Sequence, residues 1–228
     1  QQFKILLNTK LAVKICQGGI NQGYITEEAF GRATKSLHVL NKHIVSYKPE
    51  HIFGYATSAI RDAKNGKEFI HYIKSNFNIH IDIISGEKEA GLIYSGVKCA
   101  VPLSEKPVLI VDIGGGSIEM IIANHQKIFE KVSLNIGIAR LLEKFSPSDP
   151  IKKEQIYEIE KYLLQQCGAA IEKFRTYSVD TLVGSSGSFE SIACMIKHIN
   201  HKKYDAKNHC GNIAVNDFIK LHQQLLNT

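Results

Sequence analysis

Three consecutive glycines between two apolar runs constrain the fold of this chain more than any other feature. Residues 108–113 are VLIVDI and residues 117–124 are SIEMIIAN, with Gly114, Gly115 and Gly116 between them. Such runs predict two strands joined by a hairpin turn, in which glycines supply positive φ. Three glycines exceed what a tight turn requires, because each costs folding entropy that a side chain would reduce. The segment is therefore either a plain hairpin or a loop kept bare for a ligand.

Acidic residues flank this glycine loop at places where strand interiors usually avoid charge. Asp112 lies near the end of the first run and Glu119 lies in the second. A bare backbone lets phosphate oxygens approach its N–H groups, and carboxylates beside it can hold Mg²⁺. The loop is neither a P-loop nor a Rossmann fingerprint, because the chain lacks both GxxxxGK[ST] and GxGxxG. The pattern favours a phosphate-binding loop of another kind.

Three other segments suit phosphate chemistry, although each also has an ordinary structural explanation. GSSGS (184–188) follows a strand-like run and opens a helix, whose N-terminus either binds an anion or is simply capped by serine. Arg61 in TSAIRDA (57–63) suits bidentate phosphate recognition or an ordinary ion pair. Glu89 in SGEKEA (85–90) lies in a first helical turn, where acids usually serve only the helix dipole.

The order of strand-like and helix-like runs predicts an α/β fold with parallel strand pairs. Alternating apolar residues at 3–8 and 11–17 predict an N-terminal hairpin, and Thr26 is the expected N-cap of a long amphipathic helix. The polar segment VPLSEKP (101–107) is the predicted domain boundary. Six further strands are predicted, at 51–57, 79–84, 108–113, 117–124, 127–134 and 179–184. Helices are predicted from about 67, 87, 137, 151, 187 and 215.

Composition limits the classes of partner. The 228 residues include 28 basic and 22 acidic side chains, a net charge of +6 that favours anionic partners. The basic residues are scattered and match no nucleic-acid motif, so phosphate-rich small molecules are at least as well favoured as DNA. No apolar run approaches the roughly 20 residues of a membrane-spanning helix. Five widely spaced cysteines without CxxC indicate reduced thiols and a cytoplasmic location.

Five segments carry a family resemblance. They are YATSAIRDAKNG (55–66), IISGEKEAGLIYSGV (83–97), VDIGGGSIEM (111–120), LNIGIARLLEKF (134–145) and VGSSGS (183–188). In this order they resemble the exopolyphosphatase/guanosine pentaphosphate phosphohydrolase (Ppx/GppA) family, of the actin–Hsp70–sugar kinase superfamily. The resemblance covers almost the whole chain. It implies two ribonuclease-H-like, actin-like ATPase lobes with mixed sheets, 1–104 and 105–228, facing each other across a phosphate-binding cleft.

The resemblance also implies roles for individual residues. Glu89 matches the acid that activates the attacking water, although Lys88 departs from the family's common pair of adjacent acids. Asp112 and Glu119 match acids associated with Mg²⁺ or another divalent cation. The matched phosphate-binding positions lie in two loops and at one arginine: Gly114, Gly115, Gly116, Ser117, Gly184, Ser185, Gly187 and Arg61.

The expected function is release of orthophosphate from the end of inorganic polyphosphate, from guanosine pentaphosphate, or from both. Two alternatives remain open at this point. One is a non-catalytic sensor that binds guanosine tetra- or pentaphosphate or polyphosphate, and the other is an ATP-dependent kinase of the same superfamily. The expected partners are polyphosphate or guanosine pentaphosphate, with neither nucleic acid nor a membrane, and a homodimer is left open.

The resemblance further predicts that these 228 residues are an excerpt. Family members open with a strand and a loop resembling D-x-G-S-N-[ST], and nothing similar precedes Phe3. That strand is central in the first lobe, so its absence would leave unpaired backbone groups in the sheet. The family also continues with more helices past Thr228.

Overall fold

The computed structural model describes residues 4–200 and 211–227. Contacts divide the chain into two compact units, Gln1–Ile83 and Ile84–Thr228. Among the described residues, no helix has the length and apolar character needed to cross a bilayer. The four cysteines in these ranges form no disulfide, and Cys210 lies outside the described residues.

The first unit contains three helices and two short strands among its described residues. They are α1 (Glu27–Tyr47), β1 (Gly54–Ala56), α2 (Ser58–Arg61), α3 (Gly66–Phe77) and β2 (Ile81–Ile83). The predicted N-cap is confirmed, because the Thr26 side chain accepts a hydrogen bond from the N–H of Ala29. Helix α1 ends before Lys48, which adopts φ 46° in the left-handed region. Strands β1 and β2 pair in parallel, as their alternation with helices predicts.

Helices α1 and α3 enclose the core of the first unit. Its buried side chains include Ala29 and Ala33 of α1 and Phe69 and Ile73 of α3. Asn65 ties the start of α3 to the start of α1, because its side-chain amide exchanges two 2.9 Å hydrogen bonds with the backbone of Ile25. Both helices therefore bury their apolar faces against each other, as their apolar periodicity predicts.

The predicted hairpin at 3–8 and 11–17 is wrong. Described residues 4–26 contain no strand. The side chains of Ile5, Leu6 and Leu7 are 58%, 66% and 44% exposed. An alternating pattern becomes a strand only where a neighbouring strand pairs with its N–H and C=O groups. In the described ranges no strand lies beside this segment.

The second unit has a four-stranded mixed sheet surrounded by helices. Its elements are α4 (Gly86–Ala100), β3 (Val108–Ile113), β4 (Ile118–Ala123), β5 (Ile128–Leu134), α5 (Ile138–Phe145), α6 (Lys153–Phe174), β6 (Leu182–Ser185), α7 (Gly187–Ile199) and α8 (Val215–Leu226). The strand order is β5-β4-β3-β6, with β3 antiparallel to β4 and parallel to β6. The predicted α/β class with mixed sheets is therefore confirmed.

Helix α4 covers one face of this sheet. Ala90 and Tyr94 of α4 pack with Ile110 of β3 and with Ile121 of β4 in a single buried cluster. Because side chains alternate between the faces of a strand, Asp112 lies on the same face as Ile110, and Glu119 on the same face as Ile121. The fold thus places both acids on the face that α4 covers.

Contacts group α4 with the second unit, because α4 packs on the sheet of that unit. The lobes predicted at 1–104 and 105–228 stay a prediction.

Candidate functional site

Four polar side chains form a row across the sheet of the second unit. In the strand register, Ser185 of β6 pairs with Asp112 of β3, Asp112 with Glu119 of β4, and Glu119 with Ser133 of β5. Directly paired residues share a face, so the row lies at one level. The Ser133 hydroxyl donates a 2.7 Å hydrogen bond to Oε1 of Glu119. This polar row (Ser185, Asp112, Glu119 and Ser133) is the centre of the candidate site.

The carboxyl group of Glu119 is strongly affected by its surroundings. The residue is only 1% exposed, and this burial raises the pKa of its carboxyl group above the ordinary 4.5. Hydrogen bonds from Ser133 and Ser117 oppose this rise, whereas the negative charges of Glu89 and Asp112 add to it. Burial is thus the main cause of the raised pKa of Glu119, and the charges of the two other acids add to it.

The first turn of α4 brings Glu89 to this row. The Ser85 hydroxyl caps the helix by accepting a 3.2 Å hydrogen bond from the N–H of Lys88, and the N–H of Glu89 donates to the Ser85 carbonyl at 2.9 Å. Lys131 of β5 holds the same turn to the sheet, because its Nζ donates to the Glu87 carbonyl at 3.1 Å. Glu89 is half-buried as a result.

We expect Glu119→Gln to change the pH dependence of stability of the metal-free protein. A carboxyl pKa raised by folding adds stability at low pH, and this contribution is lost as pH rises through the folded-state value. Glutamine has no such titration and still accepts the bond from Ser133. The melting temperatures of the variant and the wild type are measured with a chelator from pH 4 to 8. The melting temperature of the variant is therefore expected to rise relative to that of the wild type as pH rises.

The exposed Glu158→Gln in α6 is the matched control for that experiment. Its melting curve is expected to follow the wild type across the same pH range. Parallel curves for Glu119→Gln and the wild type would contradict a raised pKa at Glu119.

The glycine loop is a tight hairpin, but its glycines do not supply the positive φ that the plain-hairpin alternative requires. The N–H of Gly114 donates to the Ser117 carbonyl at 3.0 Å and closes the turn. Among the described glycines, positive φ occurs at Gly18 and Gly23, and not at Gly115 or at its two glycine neighbours. Positive φ therefore does not explain three glycines here.

A close backbone approach does constrain the loop. A Cβ on Gly137 would lie 2.5 Å from the carbonyl carbon and oxygen of Gly115 and 2.6 Å from the carbonyl carbon of Gly116. Only glycine fits at position 137 without displacing the loop. The start of α5 can for this reason pack directly on the backbone of the glycine loop.

The GSSGS loop lies against the end of β3. The hydroxyls of Ser186 and Ser188 donate to the Ile113 carbonyl at 2.8 and 3.3 Å. Ser186 has φ 69°, a conformation that non-glycine residues rarely adopt and that is concentrated at functional sites. A Cβ on Gly184 would lie 2.1 Å from the ring of Phe189, so that ring packs directly on the loop. Because Ser185 pairs with Asp112 in the sheet, the start of this loop lies beside that acid.

The structure brings together most of the predicted site residues within the second unit. Glu89, Asp112, Glu119, the 114–117 loop and the 184–187 loop surround the ends of β3 and β4. Arg61 belongs to the first unit, at the end of α2, where its Nε lies 3.4 Å from the Asp62 carboxylate. The ion pair is thus present, and a phosphate contact for Arg61 stays a prediction.

Sequence reasoning missed Ser133, Gly137, Arg140 and Ser186. Ser133 occupies a position of β5 that alternation places toward α4, but only the strand register shows it opposite Glu119. Gly137 and Arg140 belong to the segment LNIGIARLLEKF, which carries the resemblance but received no role. Arg140 donates from its Nε to the Gly116 carbonyl at 2.7 Å. A positive φ at Ser186 has no sequence signal, because serine rarely adopts it.

The donor set fits a divalent cation that shares its ligands with a substrate. Asp112 and Glu119 offer oxygen atoms from adjacent strands on one face. In residues 4–200 and 211–227, no three His, Cys, Asp or Glu side chains are grouped closely enough to hold a metal by themselves. Mg²⁺ commonly binds one or two carboxylates together with substrate phosphates. These two acids would hold such an ion.

A protein-family comparison decides the family. The model of the Ppx/GppA phosphatase family matches residues 1–228. The chain belongs to the Ppx/GppA family. The resemblance inferred from the motifs is thereby confirmed.

Two curated relatives show how much of a longer protein this Ppx/GppA chain covers. It is 40% identical over 136 residues to a bifunctional 3-dehydroquinate synthase/phosphatase of Fusobacterium nucleatum, covering 58% of this chain and 20% of that protein. It is 27% identical over 194 residues to a Haemophilus influenzae protein provisionally named an exopolyphosphatase, covering 85% and 60% respectively. The chain spans less than two thirds of either relative.

Solved structures of the family are similar over most of the chain. An exopolyphosphatase from Cytophaga hutchinsonii has 33% sequence identity and a TM-score of 0.93, covering 98% of this chain and 72% of that one. A Ppx/GppA family member from Aquifex aeolicus has 27% identity and a TM-score of 0.72, covering 95% and 68%.

Proposed function

We propose that this chain carries the catalytic site of a phosphohydrolase that releases orthophosphate from the end of inorganic polyphosphate, from guanosine pentaphosphate, or from both. The observation that carries the proposal is the pairing of Asp112 with Glu119 beside the glycine hairpin, on the sheet face that α4 covers and to which the first turn of α4 brings Glu89. The Cytophaga hutchinsonii relative is named an exopolyphosphatase, which supports this substrate class.

Phosphoanhydride hydrolysis requires positioning and charge neutralisation more than covalent chemistry by the protein. The N–H groups of the 114–117 loop bind the terminal phosphoryl group, and Gly184, Ser185 and Gly187 bind phosphate from the neighbouring loop. Arg61 contacts further substrate phosphate. A Mg²⁺ ion held by Asp112 and Glu119 would neutralise charge on the phosphoryl oxygens.

Glu89 is the general base in this proposal. Its carboxylate orients a water molecule for in-line attack and accepts its proton as the new P–O bond forms, while the anhydride P–O bond breaks and the rest of the phosphate chain leaves. All three acids belong to one chain, so a homodimer is not required for the chemistry. The odd number and wide spacing of the cysteines favour the cytoplasm as the location of this reaction.

An orthophosphate-release assay tests the proposal directly. The purified protein is incubated with long polyphosphate, short polyphosphate, guanosine pentaphosphate and ATP, each with and without Mg²⁺. We expect Mg²⁺-dependent release from polyphosphate, from guanosine pentaphosphate, or from both. Tight binding of these substrates without release would identify a sensor instead, and ATP consumption that depends on a small acceptor would identify a kinase.

A further inference from the structure

All three glycine carbonyls of the 114–117 loop accept hydrogen bonds from the start of α5. The N–H of Ile138 donates to the Gly114 carbonyl at 3.0 Å, and the N–H of Ala139 donates to the Gly115 carbonyl at 2.8 Å. The third carbonyl, of Gly116, accepts its 2.7 Å bond from the side-chain Nε of Arg140. Three consecutive peptides of the loop are therefore held from one side.

Peptide geometry fixes where the N–H groups of this loop point. In a trans peptide the C=O and the following N–H point in opposite directions. Because the carbonyls face α5, the N–H groups of Gly115, Gly116 and Ser117 face away from it. In the described ranges, none of these three N–H groups donates to a backbone carbonyl. Three successive N–H groups directed to one side form a concave site for an anion.

The third peptide is held by a side chain, whereas the first two are held by backbone N–H groups of α5. The helical ladder has already begun at Leu141, whose N–H donates to the Gly137 carbonyl at 3.1 Å. The guanidinium of Arg140 is permanently charged and planar, and its Nε–H makes a short charge-assisted bond. Such a bond also polarises the peptide that accepts it, which strengthens the N–H of Ser117 as a donor.

We propose that Arg140 is a positioning residue of the phosphate loop, which fixes the Gly116–Ser117 peptide so that its N–H faces the phosphoryl group. This inference rests on the proposed function, since it assigns the loop a phosphoryl ligand. Arg140 acts through the loop carbonyl, and the N–H groups touch the substrate.

Arg140→Ala is expected to lower kcat/KM for polyphosphate by about 10- to 100-fold, because the loop peptide that faces the phosphoryl group loses a charge-assisted hydrogen bond of that worth. The loss falls mainly on kcat, since phosphates bound elsewhere keep KM nearly constant. Added guanidinium at millimolar concentration restores part of the activity. Arg140→Lys keeps the charge without the planar Nε–H, and its kcat/KM is expected to lie between that of the wild type and that of Arg140→Ala.

Arg175→Ala is the matched control. Arg175 follows the last residue of α6 and pairs with the exposed Glu172, so its loss removes an arginine without touching the loop. This variant is expected to keep wild-type kcat and to show no response to guanidinium. If Arg140→Ala fails to fold, Arg140→Lys carries the test by the same measurements.

A ligand-free measurement separates this inference from the proposed function. The ¹H–¹⁵N resonances of Gly115, Gly116 and Ser117 are expected to move in Arg140→Ala and to stay in place in Arg175→Ala. If the resonances move in Arg140→Ala but the wild-type protein releases no orthophosphate, the proposed function is overturned and the positioning role of Arg140 in the loop is not. If these resonances do not move in Arg140→Ala, the positioning role is overturned. It is also overturned if they move but the variant of an active protein keeps the wild-type kcat.

Discussion

Glu89→Gln is expected to lower kcat for orthophosphate release by about 10²- to 10⁴-fold, the range that a general base contributes. Glutamine keeps the size of the side chain but cannot accept the proton of the attacking water. Substrate affinity should stay near that of the wild type, because the 114–117 loop and the metal-binding acids are unchanged. Steady-state kinetics and equilibrium binding of polyphosphate by the same variant check both parts.

Glu87→Gln is the matched control for this experiment. Glu87 lies two residues away in the first turn of α4, is exposed, and has its carboxylate 3.9 Å from Nζ of Lys131. Its replacement removes one negative charge from the same turn without removing the proposed base. Equal turnover by Glu89→Gln and the wild type would remove Glu89 from the role of base.

Gly137→Ala is expected to abolish most activity as well, by a different physical route. The new Cβ would lie 2.5 Å from the Gly115 carbonyl, so either the loop or the start of α5 must move. Overpacking of this kind costs about 1–3 kcal/mol of stability. A displacement near 1 Å at a reacting group costs about 100-fold in rate. Thermal unfolding and kcat/KM for orthophosphate release are the two measurements.

Gly96→Ala in α4 is the matched control, for which we expect higher stability rather than lower. Apart from its chain neighbours and the backbone of its own helix, no atom lies within 4 Å of a Cβ at Gly96, and the residue is exposed in a helix interior. Alanine there is expected to stabilise the protein by about 0.5–1 kcal/mol and to leave the kinetics unchanged. A Gly137→Ala protein with the activity and melting temperature of the wild type would show that the loop tolerates displacement from α5.

The pattern-based predictions succeeded where a segment buries one face over several residues. The runs at 108–113 and 117–124 become β3 and β4, and Thr26 caps α1. Alternation of apolar and polar residues also predicted strands at 3–8 and 11–17, and there the prediction was wrong. Alternation places apolar residues on one face of a segment, but it does not supply a neighbouring strand. Strand formation needs a partner for the backbone, and no local pattern specifies that partner.

The sequence by itself determined the α/β class, the strand and helix spacing, and the family, because apolar periodicity and motif spacing are local properties of the chain. Only the tertiary structure decided that Ser133 lies opposite Glu119, that Gly137 contacts the glycine loop, and that Arg140 holds the Gly116 carbonyl. These contacts join residues 14 to 24 positions apart, and their existence depends on strand register and on how closely two backbones approach. Register and close approach arise from packing of the whole unit, which no short segment encodes.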